Sequence, residues 1–153
     1  MIPWAKRKRL KPPNLNQHMC VSVTYQIDKA KGIIRTRCTG MVTIEEVIEH
    51  FHTLEQDPEC CPDHVDVLLD LTEEITIPTK ENLQDVAHEI RRIRGRVQFG
   101  ALAIVACTDA LFGMSRMLEV FAGQYFRETC VFRSVSEAEE WLGSQYPRDS
   151  AAD

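Results

Sequence analysis

Two short apolar runs constrain this chain more than any other feature: Val65-Asp-Val-Leu-Leu-Asp-Leu71 and Phe99-Gly-Ala-Leu-Ala-Ile-Val-Ala-Cys107. Both fall far short of the ~18 residues that a membrane span needs, and both are too continuously apolar for a strand with one wet face. They read as strands covered on both faces, with Val65 to Leu71 central. Each is followed by helical spacing. Behind the first, Pro78 and a Thr79 cap lead into Leu83, Val86, Ala87, Ile90 and Ile93 at offsets 0, 3, 4, 7 and 10, which predicts a helix from Lys80 to Arg94 that Gly95 ends. Behind the second, Asp109 can cap a helix from Ala110 to about Phe126 whose Leu111, Met114, Leu118, Phe121 and Ala122 face inward. A buried strand, a striped helix and another buried strand in succession demand parallel crossovers.

The flanks add to this unit. Val21, Val23, Tyr25 and Ile27 alternate with Ser22, Thr24 and Gln26, and Asp28 to Gly32 turns the chain into a second β-rich run, Ile33 to Thr39. So short a connection makes an antiparallel hairpin. Thr43 and Glu46 form a capping box ahead of Ile44, Val47, Ile48, Phe51 and Leu54, an amphipathic helix. Thr129 to Phe132 reads as a fifth strand, and Ser136 with Glu139 as a second capping box opening a short helix through Trp141 and Leu142. The expected fold is therefore α/β: one domain over residues 20–143, with a five-stranded mixed sheet (hairpin, then α-β-α-β-α-β-α) covered by about four helices. A leader of residues 1–19 precedes it and a frayed tail of residues 144–153 follows. A chain of 153 residues has room for one such core.

Charge narrows the function. Lys6, Arg7, Lys8, Arg9 and Lys11 put +5 on the leader, and since the whole chain carries −5, the remainder carries −10. An acidic body offers no clustered cations for phosphate, so no specific nucleic-acid face is expected, while the basic leader can meet anionic surfaces weakly and in a salt-dependent way. The leader lacks an apolar segment and a small-residue cleavage site, so the expected location is the cytoplasm and the six cysteines read as reduced thiols.

In sheets of this kind ligands bind beyond the carboxyl ends of the parallel strands. That makes Asp70 and Thr72, with Thr108 and Asp109 one crossover later, candidate ligand or partner residues. An enzymatic reading would give Asp70 or Asp109 the base's role and Cys107 the nucleophile's, but no histidine lies near them in sequence to activate a thiol. Turn and cap chemistry accounts for both carboxylates, and no catalytic residue is assigned. The chain has neither a glycine-spaced nucleotide fingerprint nor a P-loop, so no cofactor is expected. Cys60, Cys61, His64, His50 and His52 are the one group of soft-metal ligand types, but His50 and His52 lie two apart on a helix and point different ways, and no CxxC pair is present. No metal is assigned.

From Tyr25 to about Leu142 the chain resembles the SpoIIAA-like proteins, whose fold is similar to the STAS domain of anti-sigma-factor antagonists. The segments that carry the resemblance are Tyr25-Gln-Ile-Asp28, Gly40-Met-Val-Thr-Ile-Glu-Glu46, Asp57-Pro58, Val67-Leu-Leu-Asp-Leu71, Gly113-Met-Ser-Arg116 with Glu119, and Phe132 with Ala138 to Leu142. It implies a non-enzymatic, regulatory interaction module with a protein partner, and self-association as a homodimer is open. In phospho-regulated STAS domains the strand matching Leu69-Asp70-Leu71 leads to an Asp-Ser-Ser-Gly turn with a phosphorylated serine. Here the matching stretch is Ile77-Pro78-Thr79-Lys80-Glu81, which leaves Thr79 as the nearest hydroxyl and candidate phosphorylation site. Arg116 can recognise a carboxylate or phosphate, or pair with Glu119 one turn on. The resemblance also implies an alternative: related STAS-like and CRAL-TRIO-type folds roof an apolar pocket with helices, so a small apolar ligand or lipid carrier is the second expectation, with Met114, Met117, Phe121 and Phe126 as its side chains.

Overall fold

A computed structural model describes residues 22–60, 65–73 and 75–145. The basic leader, Cys61, His64 and the chain beyond Gln145 lie outside the described residues. The strands are β1 (Val23–Asp28), β2 (Ile33–Cys38), β3 (Val65–Leu71), β4 (Phe99–Ala106) and β5 (Glu128–Phe132). The helices are α1 (Ile44–Glu55), α2 (Lys80–Ile93), α3 (Asp109–Ala122) and α4 (Val135–Ser144). The strands lie in the order β1-β2-β3-β4-β5, with β1 antiparallel to β2 and every other pair parallel. This is the mixed five-stranded sheet expected from the sequence, with the Val65 run at its centre.

Local chemistry fixes each turn. Asp28 closes the hairpin by accepting from Lys31 N at 3.2 Å through its carboxylate and from Gly32 N at 2.8 Å through its carbonyl. Gly32 sits at φ +67°, a left-handed conformation that glycine adopts without penalty. Thr43 and Glu46 form the predicted capping box of α1, and Thr79 caps α2 in the same reciprocal way with Asn82.

Two caps fall earlier than the sequence pattern suggested. Thr108, not Asp109, caps α3, its Oγ1 accepting from Leu111 N at 3.1 Å, and Asp109 becomes the first helical residue, where a carboxylate complements the dipole. Ser134, not Ser136, caps α4 by accepting from Glu137 N at 3.3 Å. Val135 packs with Ala138 and Leu142 on the core stripe, so the helix must begin early enough to include it. α3 also stops at Ala122, and a 3₁₀ turn over Gly123–Tyr125 carries the chain toward β5 instead of more helix. At the end of α2 the C-cap is Arg94 in an ordinary right-handed conformation, so Gly95 is not used as a left-handed stop.

The two faces of the sheet are packed differently. Alternate residues of β4 send Leu102, Ile104 and Ala106 toward α1, α2 and α3, and Ala101, Ala103 and Val105 toward α4. The three-helix side buries Phe51 and Leu54 from α1, Leu83, Ile90 and Ile93 from α2, and Leu111, Met114 and Leu118 from α3. On the other side α4 lays Ala138 and Leu142 against Ile33, Leu68 and the alanines.

Candidate functional site

Three of the candidate residues meet at the carboxyl edge of the sheet. Asp70 Oδ1 accepts from Thr72 N at 2.9 Å and from Thr72 Oγ1 at 2.6 Å, a side-chain turn that ends β3. Thr72 O in turn accepts from Cys107 Sγ at 3.2 Å, which ties the ends of β3 and β4 together. Arg37 lies 4.0 Å from Asp70 and 3.0 Å from Glu73, while Arg133 pairs with Asp109 at 3.1 Å and sits over the Phe112 ring. Each of these three acids has an arginine partner, Arg37 serving two of them, and the exposed Cys107 thiol meets a carbonyl, which cannot act as a base.

Thr108 is occupied as the α3 cap, Thr79 is exposed at the start of α2, and Arg116 pairs with Glu119 at 3.1 Å. Thr79 and Arg116 are therefore not drawn into the edge cluster. Among the described residues no group of three His, Cys, Asp or Glu side chains converges as a metal site.

An apolar concavity lies under the helices. A cavity of about 140 Å³ sits between the sheet and α1, α2 and α3. Its floor is set by Ile34, Val67, Leu69 and Leu102, and its roof by Val47, Phe51, Leu83, Val86, Met114 and Leu118. It reaches the surface where the exposed Thr43 and Thr76 line it, beside the parallel bridge between Gly40 and Ile75. That opening is at the carboxyl ends of β2 and β3, the end at which parallel sheets bind ligands. Met41 and Ile77, exposed large apolar side chains, neighbour it in the chain.

The polar groups inside come from residues that the sequence argument did not select. Thr36 and Cys38 follow Ile34 at the inward positions of β2, and His50 enters from α1. Thr36 is the Cα partner of Tyr25, whose ring meets the His50 ring edge-on at 5.3 Å, so the three gather at one end of the cavity. Tyr25 Oη donates to Asp57 Oδ2 at 2.7 Å, which fixes that ring. Burial pushes the Cys38 thiol up to about 12, aided by the negative charges of Asp70 and Glu46, and lowers the His50 imidazole to about 4. Both groups are thus neutral near pH 7. The available sequence signal was the strand parity, since Thr36 and Cys38 share the face of Ile34; His50 drew attention only as a metal ligand. Of the side chains expected in such a pocket, Met114 and Phe126 line it, Phe121 packs in the surrounding core, and Met117 is exposed on the far side of α3.

No protein-family model matches the chain, and no curated protein matches it. Among solved structures, an uncharacterised protein of the DUF3478 family from Shewanella loihica PV-4, described as having a SpoIIAA-like fold, superposes with a TM-score of 0.53 at 17% identity, over 78% of this chain and 91% of that one. This chain has a SpoIIAA-like fold. The likeness establishes architecture, as the sequence resemblance implied, and the SpoIIAA-like neighbour carries no assigned activity. No described helix of the SpoIIAA-like domain is long and apolar enough to cross a membrane.

Proposed function

We propose that the chain is a non-enzymatic binding module that takes a small apolar molecule into the cavity beneath α1, α2 and α3. The observation that carries this reading is the cavity itself, apolar on most of its wall and open at the ligand-binding end of the sheet. Its volume of about 140 Å³ is close to that of an engineered apolar cavity of ~150 Å³ that stays dry and binds benzene. It is well below the ~300 Å³ at which pockets for drug-sized ligands begin, so the fit is to a compact molecule and not to a whole lipid. Thermal unfolding with benzene tests it: at ten times its dissociation constant benzene should raise Tm by about 4 °C. Absence of any shift with benzene or toluene, together with a protein empty in native mass spectrometry, would sink the reading.

A second reading, docking of a protein partner, is favoured by the outer face of α3. Ala110, Gly113, Met117 and Val120 are exposed there at offsets 0, 3, 7 and 10, the spacing of a two-helix seam, and Val120 is 75% exposed. Small residues fill the first half of this stripe and large ones the second. An antiparallel second copy would set large against small, which makes another copy of this chain the fitting occupant. Sedimentation velocity should then find a dimer that Val120→Glu dissociates; a monomer at 100 μM would exclude it.

A further inference from the structure

We propose that the cavity selects an uncharged molecule about the size of one ring that carries a single hydroxyl or carbonyl group, seated with that group against Thr36, Cys38 and His50. The proposal rests on the cavity reading above and names the chemistry of its ligand.

Three observations lead to it. First, none of the residues that line the cavity is an Asp, Glu, Lys or Arg, and the Asp70 and Glu46 carboxylates whose charge reaches Cys38 lie outside the lining and already accept from Thr72 and Thr43. A charged ligand would therefore leave water for a wall with no direct counter-ion. Second, apart from Thr43, Thr76 and Asn82, the polar groups of the lining are collected at one end. Thr36 and Cys38 are two apart on β2 and so share a face at ~6.5 Å spacing, and the contact of His50 with Tyr25, the strand partner of Thr36, holds the imidazole over the same end. The opposite wall, with Leu83, Val86, Leu102 and Met114, is hydrocarbon and thioether.

Third, these polar groups are unused. Thr43 and Asn82, which also line the cavity, spend their side chains on the caps of α1 and α2. Thr36 Oγ1, Cys38 Sγ and the His50 ring nitrogens make no hydrogen bond to another described residue, although Thr36 is only 6% exposed. They are not among the described side-chain atoms buried without a hydrogen-bond partner, which are Glu59 Oε1, Ser115 Oγ and Thr129 Oγ1. They line the cavity, where a ligand can supply the partner that the chain does not. A threonine hydroxyl and a neutral imidazole each offer a donor and an acceptor, which suits a ligand hydroxyl or carbonyl and has no need of ligand charge.

The test uses the full chain at pH 7 with four probes of one ring each, benzene, phenol, benzoate and benzylamine, titrated by calorimetry and by amide chemical shifts. Phenol should bind about fivefold more tightly than benzene, the effect of one net hydrogen bond. Benzoate and benzylamine should bind at least twentyfold more weakly than phenol. Thr36→Val, which removes the hydroxyl without changing shape, should bring the ratio of phenol to benzene toward one and leave benzene within twofold; His50→Leu makes the same test should the first variant not fold. Benzoate or benzylamine matching phenol would overturn the selection for neutral ligands. A ratio of phenol to benzene that neither variant moves would overturn the assigned polar end. Failure of all four probes to bind would bring down the cavity reading itself.

Discussion

The two faces of the central sheet are built from alternate residues of the same strands, yet they differ where β4 meets its helices. The contact with α4 is closed, its hollow lying off to the side beside Ile33, Arg35, Asp66 and Glu139, while under α1, α2 and α3 an apolar cavity lies over the strands themselves. Toward α4, β4 presents Ala101 and Ala103, neither of them measurably exposed, and their small side chains let the helix bring Ala138 and Leu142 down onto the sheet. Toward α1, α2 and α3 the same strand presents Leu102 and Ile104, which hold the helices off, while Thr36 and Cys38 on β2 are too short to fill the space that results. Close packing comes from small facing residues, and the void comes from short residues beside long ones. The difference between the closed β4–α4 contact and the open space under α1, α2 and α3 can be tested by making the same kind of change on each.

The largest effect is expected from enlarging a residue in the closed contact between β4 and α4. Ala103→Leu adds three carbons between β4 and α4 where no space exists, and overpacking of this kind should cost about 3 kcal/mol. Chemical denaturation would measure it, and a loss under 1 kcal/mol would mean that α4 is not seated as described.

Acid offers the next test, because the buried histidine is on the cavity side. His50 titrates near 4 in the folded protein and near 6.5 when unfolded, so the unfolded chain takes up the proton first. Its contribution is complete above pH 6.5 and is lost as pH falls toward 4, amounting to about 2 kcal/mol between pH 7 and pH 5. Urea midpoints of the native chain and of His50→Leu at these two pH values should differ in slope by that amount. Parallel pH profiles would show that the imidazole is hydrated and would weaken the picture of a desolvated cavity.

The sequence disclosed the packed elements more fully than the spaces between them. The continuous runs at Val65 and Phe99 and the stripes at Leu83 and Leu111 were enough to order strands and helices, because burial on both faces leaves a pattern that no other arrangement produces. Ser134 and Thr108 were passed over as caps because the neighbouring Ser136 and Asp109 satisfy the same pattern, and the choice between them depends on where Val135 and Leu111 must point. The cavity was legible only as a possibility implied by resemblance, since a void is a property of several elements together. Thr36 and Cys38 differ from ordinary strand residues only by lying on the parity of Ile34, and nothing local reveals that the space above them is empty.

A smaller effect, opposite in sign to that of Ala103→Leu, should follow from enlarging a residue on the cavity face. Val67→Leu extends a side chain into the void, and filling it should stabilise the fold by up to about 1 kcal/mol while reducing benzene binding. A destabilisation comparable to that of Ala103→Leu would erase the distinction between the faces.

The least effect is expected at the solvent edge of the α4 side, where a hollow is lined by Arg35 and Glu139. Arg35 on β2 reaches Glu139 on α4 at 2.6 Å, the one ion pair between described residues that joins that helix to the sheet, and both side chains remain partly exposed. If this pair held α4 in place, its loss would rival that of a core residue. Packing of Ala138 and Leu142 does that work instead, so Glu139→Gln should cost only about 0.5 kcal/mol and the cost should shrink further in 1 M salt. A loss above 2 kcal/mol that persists in salt would make charge, and not the close fit of small side chains, the reason α4 stays on the sheet.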